Sequence, residues 1–214
     1  VKFYKAMEDE PTISQVYSSW ISEKLEYGEI TRQTKDKYET NFKRFFENKY
    51  LPIANRKIRY IDEEILESFI KTAISKLELT QKAYSDMRIL INGIFKYAKK
   101  KHYTSLSITN FMGDLEISEK SFKRNHKSDN ELVFSNDEEL LIEQFIMEDQ
   151  PTLIELGIIL AFKTGLRVGE ISTLSWSDIA ENKIHISKTE IRYRDENGKY
   201  VFDVQNFPKS DAGF

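Results

Sequence analysis

The spacing of apolar side chains changes once along the chain, and this change limits the folds that the sequence can adopt. Up to about residue 110, apolar residues recur every three or four positions, which is typical of amphipathic helices that bury one face. Four such helices are predicted: the first runs from Thr12 to Glu26, and the other three are capped by Thr31 or Thr34, by Asp62 and by Thr80. After residue 183 apolar and polar residues alternate, which indicates short strands. The sequence therefore predicts a mainly α fold with a small antiparallel β-sheet near its end.

Two domains are predicted. A helical bundle takes up residues 1–112, since four helices on short connections form a compact unit. Residues 113–131 are polar and basic and have no apolar period, which predicts a linker. A second domain is predicted over residues 132–214.

The second domain begins with a capping box formed by Ser135 and Glu138. The helix predicted over residues 152–163 is apolar on nearly every side, and we therefore expect it to be deeply buried. Strands are predicted at residues 183–187, 190–194 and 199–204, and the last two flank a strong hairpin signal at Asn197 and Gly198.

Composition excludes several kinds of protein. Hydrophobic residues make up 40% and charged residues 31% of the chain, which is a globular and not a disordered balance. No apolar run approaches the roughly 20 residues that span a bilayer, so no membrane partner is expected. The absence of cysteine excludes disulfides and thiolate metal sites and is typical of a cytoplasmic protein. The three histidines are widely spaced, so no metal site is expected.

Charge is unevenly distributed. The net charge is −3, which argues mildly against nucleic-acid binding. From Leu79 to Tyr103, however, there are six basic residues and one acidic residue, and such a local basic stripe can bind phosphates whatever the total charge. From Glu131 to Phe214 there are eight basic and sixteen acidic residues, and this acidic part argues against DNA binding.

The stretch KTGLRVGE, residues 163–170, has the pattern of a phosphate-binding turn. Gly165 allows the backbone to leave a helix with positive φ. Arg167 is then expected at the start of the next helix, where its guanidinium could bind two phosphate oxygens. Glu170 follows one helical turn later and could orient Arg167. Alternatively, Gly165 is a plain helix cap, Arg167 a surface residue and Glu170 a structural ion-pair partner.

The residues around this stretch extend the pattern. From Ile154 to Ile179 the sequence contains an apolar helix, TGLR, an acidic residue three positions on, I-x-x-L-x-W-x-D-I and then a strand. This order resembles the start of the catalytic domain of tyrosine recombinases of the phage-integrase type, including those of Gram-positive phages and conjugative elements. The resemblance implies an N-terminal four-helix core-binding (SAM-like) bundle, a basic linker and the N-terminal portion of an α+β catalytic domain.

The resemblance also implies an activity and its residues. Tyrosine recombinases carry out site-specific DNA recombination and integration through a 3′-phosphotyrosine, with no metal or nucleotide cofactor. Arg167 and Glu170 would belong to the catalytic set. Lys209, in a turn that resembles the P-K-T/S-x-x-G form of the family, would be the general acid. Lys188 and Lys199 are rivals for this role, and a solvated turn lysine is the alternative for Lys209.

The rest of the family's catalytic set is H-x-x-R, a later His or Trp, and the nucleophilic tyrosine. None of the three histidines has an arginine three positions later. We therefore expect the nucleophilic tyrosine to lie outside this chain, which would be a C-terminally truncated fragment that binds DNA without cleaving it.

Double-stranded DNA carrying an attachment or core site is the expected partner. The resemblance implies a homotetramer on DNA for the full-length protein, and we expect a monomer for this chain. The second and fourth helices are the basic ones of the bundle, and a solvated helix face is the alternative for their charges. The residues expected at DNA are Arg32, Thr34, Lys35 and Lys37 in the second helix, Lys82, Arg88, Lys96, Lys99 and Lys100 in the fourth, and Lys120, Lys123, Arg124 and Lys127 in the linker.

Three other interpretations remain at this stage. A non-catalytic relative would keep the DNA-binding architecture and lack the tyrosine. A helical interaction protein without a DNA role would explain the acidic second domain. A type IB topoisomerase shares the chemistry, but its N-terminal architecture differs.

Overall fold

The computed structural model describes residues 10–124, 133–195 and 197–206. The chain divides into two compact units, residues 1–125 and 126–214, which are described separately. The described residues form eight α-helices and two antiparallel strand pairs. The prediction of a mainly α fold with a small antiparallel β component is therefore confirmed.

The first unit is a helical bundle. The predicted caps are present: the side chains of Thr31, Asp62 and Thr80 each accept a hydrogen bond from the backbone N–H three residues later. Thr12, expected inside the first helix, caps that helix in the same way. A fifth helix of seven residues was not predicted, because it is too short to show an apolar period. The helices are α1 (Ile13–Glu26), α2 (Arg32–Phe46), α3 (Glu63–Lys76), α4 (Gln81–Lys100) and α5 (Ile108–Asp114), with 3₁₀ turns at Ile58–Tyr60 and Glu119–Ser121.

The core of the first unit is built around α4, against which α1 and α2 pack. The ring of Phe42 on α2 stacks on Tyr17 of α1 with centroids 4.0 Å apart. Trp20 of α1 lies directly over Gly93 of α4, where a Cβ would be only 2.1 Å from the indole ring. Gly93 therefore lets the tryptophan approach the backbone of α4.

Residues 115–124 were predicted as linker, but they pack against the bundle. Phe122 contacts Tyr84 of α4, with ring centroids 5.4 Å apart. The backbone N–H of Lys123 donates a hydrogen bond of 2.9 Å to the carbonyl oxygen of Leu79. The described part of the expected linker is thus attached to the first unit.

The second unit begins with the predicted capping box, in which the Ser135 backbone N–H donates to the Glu138 carboxylate at 2.8 Å. Its hairpin pairs Arg194 with Tyr200. The strand predicted over residues 183–187 is shorter, since only its first two residues pair. The elements are α6 (Asn136–Met147), α7 (Leu153–Thr164), α8 (Val168–Ile171), a 3₁₀ turn (Trp176–Asp178), β1 (Ile179–Ala180), β2 (Lys183–Ile184), β3 (Thr189–Arg194) and β4 (Tyr200–Gln205).

The prediction that α7 is deeply buried is wrong for the described part of the chain. Leu153 and Ile154 are 87% and 79% exposed, and no residue of α7 is fully buried. An apolar helix becomes buried only when neighbours cover every side of it. Here α7 packs mainly against α6 and α8, which cover part of its circumference.

Candidate functional site

The turn that follows α7 has the predicted backbone geometry. Gly165 adopts φ 69° and ψ 12°, and its N–H donates to the carbonyl oxygen of Ala161 at 2.8 Å. The space around Gly165 is open, so its left-handed conformation, not crowding, favours glycine there. Arg167 is extended, with φ −74° and ψ 149°, and immediately precedes α8.

Arg167 and Glu170 form a close pair. The Glu170 carboxylate accepts hydrogen bonds from the backbone N–H and from the guanidinium Nη1 of Arg167, both 2.9 Å long. These interactions, the backbone bond first, keep the pKa of Glu170 below its ordinary value even though burial opposes them. Glu170 is 6% exposed, whereas the Arg167 side chain is 66% exposed. The buried carboxylate therefore fixes a guanidinium whose other donors face solvent.

The helix that carries this pair is fixed against the hairpin. A Cβ on Gly169 would be 2.5 Å from the carbonyl oxygen of Glu190, so glycine allows α8 to lie directly on β3. The hydroxyl of Thr173 donates to the carbonyl oxygen of Lys188 at 3.1 Å. Sequence reasoning missed the part played by Gly169, because the contact is with a strand twenty residues away along the chain.

The three lysines considered as general acid have different positions. Lys209 lies outside the described residues. Lys188 lines the same shallow recess as Glu170. Lys199 lies in the turn between β3 and β4. This turn is about 17 Å from the start of β3, which follows Lys188. The backbone N–H of Lys199 donates to the Asp195 carboxylate.

The recess also contains Asp178. Its carboxylate accepts hydrogen bonds from the hydroxyl and backbone N–H of Ser175, at 2.7 and 2.9 Å. These bonds lower the pKa of Asp178, and the nearby Lys188 and His185 lower it further. Asp178 is therefore a negative charge beside Lys188.

A basic face follows the solvent side of α4. The residues expected there are all exposed. Lys100 is 3.6 Å from the Glu23 carboxylate, the longest ion pair in the described part of the chain. The other four form no ion pair with another described residue and make up what we call the α4 basic face: Lys82, Arg88, Lys96 and Lys99.

On α2 the expected residues are more constrained. Lys37 is exposed, but its ammonium donates to the Asp86 carboxylate of α4 at 2.8 Å and so links the two basic helices. Lys35 is 3.5 Å from Glu39. Arg32 is exposed at the start of α2, whereas the hydroxyl of Thr34 is within 3.0 Å of the hydroxyl of Thr31.

Two further cations of α2, Lys43 and Arg44, are exposed and were not predicted at DNA. The spacing of apolar residues could have indicated their exposure, because both residues lie between the buried residues Phe42 and Phe45.

The cations expected in the linker differ in their surroundings. Lys123 pairs with Glu78 at 2.7 Å, and this hydrogen bond lowers the pKa of the Glu78 carboxyl. Lys120 and Arg124 are exposed, and Lys127 lies outside the described residues.

The described residues contain no cluster of acidic and histidine side chains that could hold a metal ion. None of their helices is both long and apolar enough to cross a membrane.

The sequence matches no protein-family model and no curated protein. Solved structures of a transposon integrase are similar to it. The Tn1549 transposon integrase in complex with a circular intermediate DNA is 17% identical with a TM-score of 0.63, and the match covers 94% of this chain and 58% of that one. A second complex of this integrase with circular intermediate DNA is 15% identical, with a TM-score of 0.62 and coverages of 94% and 61%.

A complex of the same integrase with transposon right end DNA is 16% identical, with a TM-score of 0.60 and coverages of 94% and 59%. The chain thus spans about three fifths of the length of the integrase chains that it matches. Over nearly its whole length, this chain has the fold of the Tn1549 transposon integrase.

Proposed function

We propose that this chain is the DNA-binding part of a tyrosine recombinase that integrates a mobile DNA element at specific sites. The single observation that carries the proposal is the pair of Arg167 and Glu170, in which a buried carboxylate holds an exposed guanidinium directly after a left-handed glycine. The fold shared with an integrase that was solved on DNA supports the same conclusion.

The chemistry follows from this pair. A tyrosine hydroxyl, supplied from outside this chain, would attack a DNA phosphodiester and form a 3′-phosphotyrosine while the 5′-oxygen leaves. Arg167 would stabilise the negative charge that develops on the non-bridging oxygens, and Glu170 would keep the guanidinium in position. A lysine would give a proton to the leaving 5′-oxygen; we assign this role to Lys209, with Lys188 as the alternative.

The first unit would hold duplex DNA through the α4 basic face and the exposed cations of α2, which include Lys37. Side chains of this kind neutralise phosphates and so fix the register of a protein on DNA. Lys120, Arg124 and Lys127 would add backbone contacts. We further propose that the full-length protein acts as a homotetramer on DNA in the cytoplasm, whereas this chain is a monomer.

The DNA-binding part of the proposal is tested with a labelled DNA duplex and fluorescence anisotropy. Replacing Lys82, Arg88, Lys96 and Lys99 by glutamine is expected to weaken binding by more than about tenfold at low salt. The matched control replaces four exposed cations outside α2 and α4, with the same change in net charge: Lys49, Arg56, Lys71 and Lys76. Equal losses in both variants would contradict a specific face.

The chemical part is tested with a nicked suicide substrate, which traps covalent intermediates. We expect this chain to bind the substrate and to form no covalent adduct, because it contains no H-x-x-R sequence. A covalent adduct in denaturing gel electrophoresis would contradict the proposed division of the active site.

A further inference from the structure

A short uncharged row lies between the cations on the solvent side of α4. Ser85, Ile89 and Asn92 are four and three positions apart, so their side chains share one side of the helix. That side is opposite the fully buried Met87 and Ile94. Ile89 is 44% exposed, although the other leucines, isoleucines and Met87 of this helix are buried.

Cations surround this row. Lys82 lies one turn before Ser85, Arg88 is adjacent to Ile89, and Lys96 lies one turn after Asn92. Such a surface attracts a polyanion, not an apolar protein segment, because an apolar partner would have to remove these charges from water.

The Asn92 carboxamide is held in place by a hydrogen bond of 3.0 Å from its Nδ2 to the carbonyl oxygen of Arg88. This bond uses one of its two amide hydrogens, so the group can still donate and accept. The row from Ser85 to Asn92 is about 10 Å long, close to the rise of three base pairs of DNA.

We propose that this row reads base edges in the major groove and that Ile89 contacts the C5-methyl group of a thymine. The inference rests on the proposed function, because it requires that α4 lies on duplex DNA. Phosphate contacts by the surrounding cations would fix the register, and the uncharged side chains between them would then face the bases. The thymine methyl is the apolar group in the major groove, so an exposed isoleucine is complementary to a T·A pair.

The test selects duplexes from a pool with randomised sequence, once with the original chain and once with Ile89→Ala. The original chain is expected to enrich thymine at one position within a window of about three base pairs, and Ile89→Ala is expected to lose that preference alone. Alanine favours the helix, so this variant is expected to keep its fold. Tyr27→Ala, which removes a 70% exposed aromatic ring outside α2 and α4, is the matched control and should keep the preference.

Uracil in place of the selected thymine then removes only the methyl group. We expect about fourfold weaker binding by the original chain, as the loss of one buried methyl group implies. Ile89→Ala should bind the thymine and uracil duplexes equally. Equal losses in both proteins, or an unchanged preference in Ile89→Ala, would overturn the assignment of Ile89.

Two outcomes separate this inference from the proposed function. If the original chain binds no duplex at all, the proposed function fails and the inference fails with it. If it binds duplexes in a salt-dependent manner but without dependence on the thymine methyl, only the inference is overturned. A third outcome would also overturn the inference: the original chain self-associates, and Ile89→Ala abolishes this self-association without changing the sequence preference. Ile89 would then belong to a protein interface.

Discussion

Replacement of Gly93 by alanine tests the packing that places α1 against α4. An added Cβ would be 2.1 and 2.2 Å from two carbon atoms of the Trp20 indole, far inside van der Waals contact. The indole has little room to move, because it is 7% exposed and stacks on Tyr38 with centroids 5.8 Å apart. The methyl group can therefore be accommodated only if the indole or the helix shifts.

The expected change in stability is the difference between two effects. Overpacking of a well-packed core costs about 3 kcal/mol at the upper end of its usual range, which applies to an overlap this large. Alanine is favoured over glycine inside a helix by about 1 kcal/mol. Gly93→Ala should therefore lower the free energy of unfolding of the first unit by about 2 kcal/mol.

Gly113→Ala is the matched control. Gly113 is exposed in α5, and nothing lies within 4 Å of the position of its added Cβ. Only the backbone effect remains, and it is smaller here because Gly113 lies one residue before the end of a short helix. This variant should therefore gain about 0.5 kcal/mol in its free energy of unfolding. The two glycine substitutions are thus expected to have opposite signs.

The assay is urea unfolding of the whole chain followed by tryptophan fluorescence in a Trp176→Phe background, so that Trp20 alone reports. The double-mutant cycle with Trp20→Phe removes this tryptophan and is therefore followed by far-UV circular dichroism. Trp20→Phe should remove much of the loss of stability caused by Gly93→Ala, since the two changes act on one contact. A neutral or stabilising Gly93→Ala would refute the close contact between Trp20 and Gly93.

Three further predictions concern single side chains. The buried Tyr17 hydroxyl has no hydrogen-bond partner among the described residues, so Tyr17→Phe should raise the free energy of unfolding by about 1 kcal/mol, and a lower urea midpoint would contradict this. Because Arg167 lowers the pKa of Glu170, the stability due to that carboxylate is complete above its ordinary pKa of 4.5 and is lost as the pH falls below it. Glu170→Gln should flatten this acid dependence in melting experiments, and an unchanged pH profile would exclude the pair as its source. Asp86→Asn removes the acidic partner of Lys37 on α4 and should strengthen duplex binding about threefold at low salt, whereas unchanged binding would place Asp86 outside the DNA surface.

The features that were predicted best from the sequence depend on residues only a few positions away along the chain. Helix caps such as Thr80 and Asp62 need only the chain that follows them. The pair of Arg167 and Glu170 is separated by three residues, one turn of helix, and could be inferred for the same reason.

Features that depend on tertiary contacts were not predictable in this way. The exposure of α7 depends on which elements cover it, and its own sequence indicates only that it is apolar. Attachment of residues 115–124 to the bundle depends on contacts such as that between Lys123 and Leu79. The ion pair of Lys37 with Asp86 joins residues 49 positions apart, so no local pattern indicates that one cation of the expected DNA surface already has an acidic partner.

The most direct test of duplex binding by the α4 basic face is the salt dependence of the binding constant. Each phosphate that a cation neutralises contributes about −0.9 to the slope of log K against log salt concentration on duplex DNA. Titration from about 50 to about 200 mM salt should therefore give a slope about 3.6 less steep when Lys82, Arg88, Lys96 and Lys99 are all replaced by glutamine. The same slope in the original chain and in this variant would show that these four cations do not contact DNA phosphates.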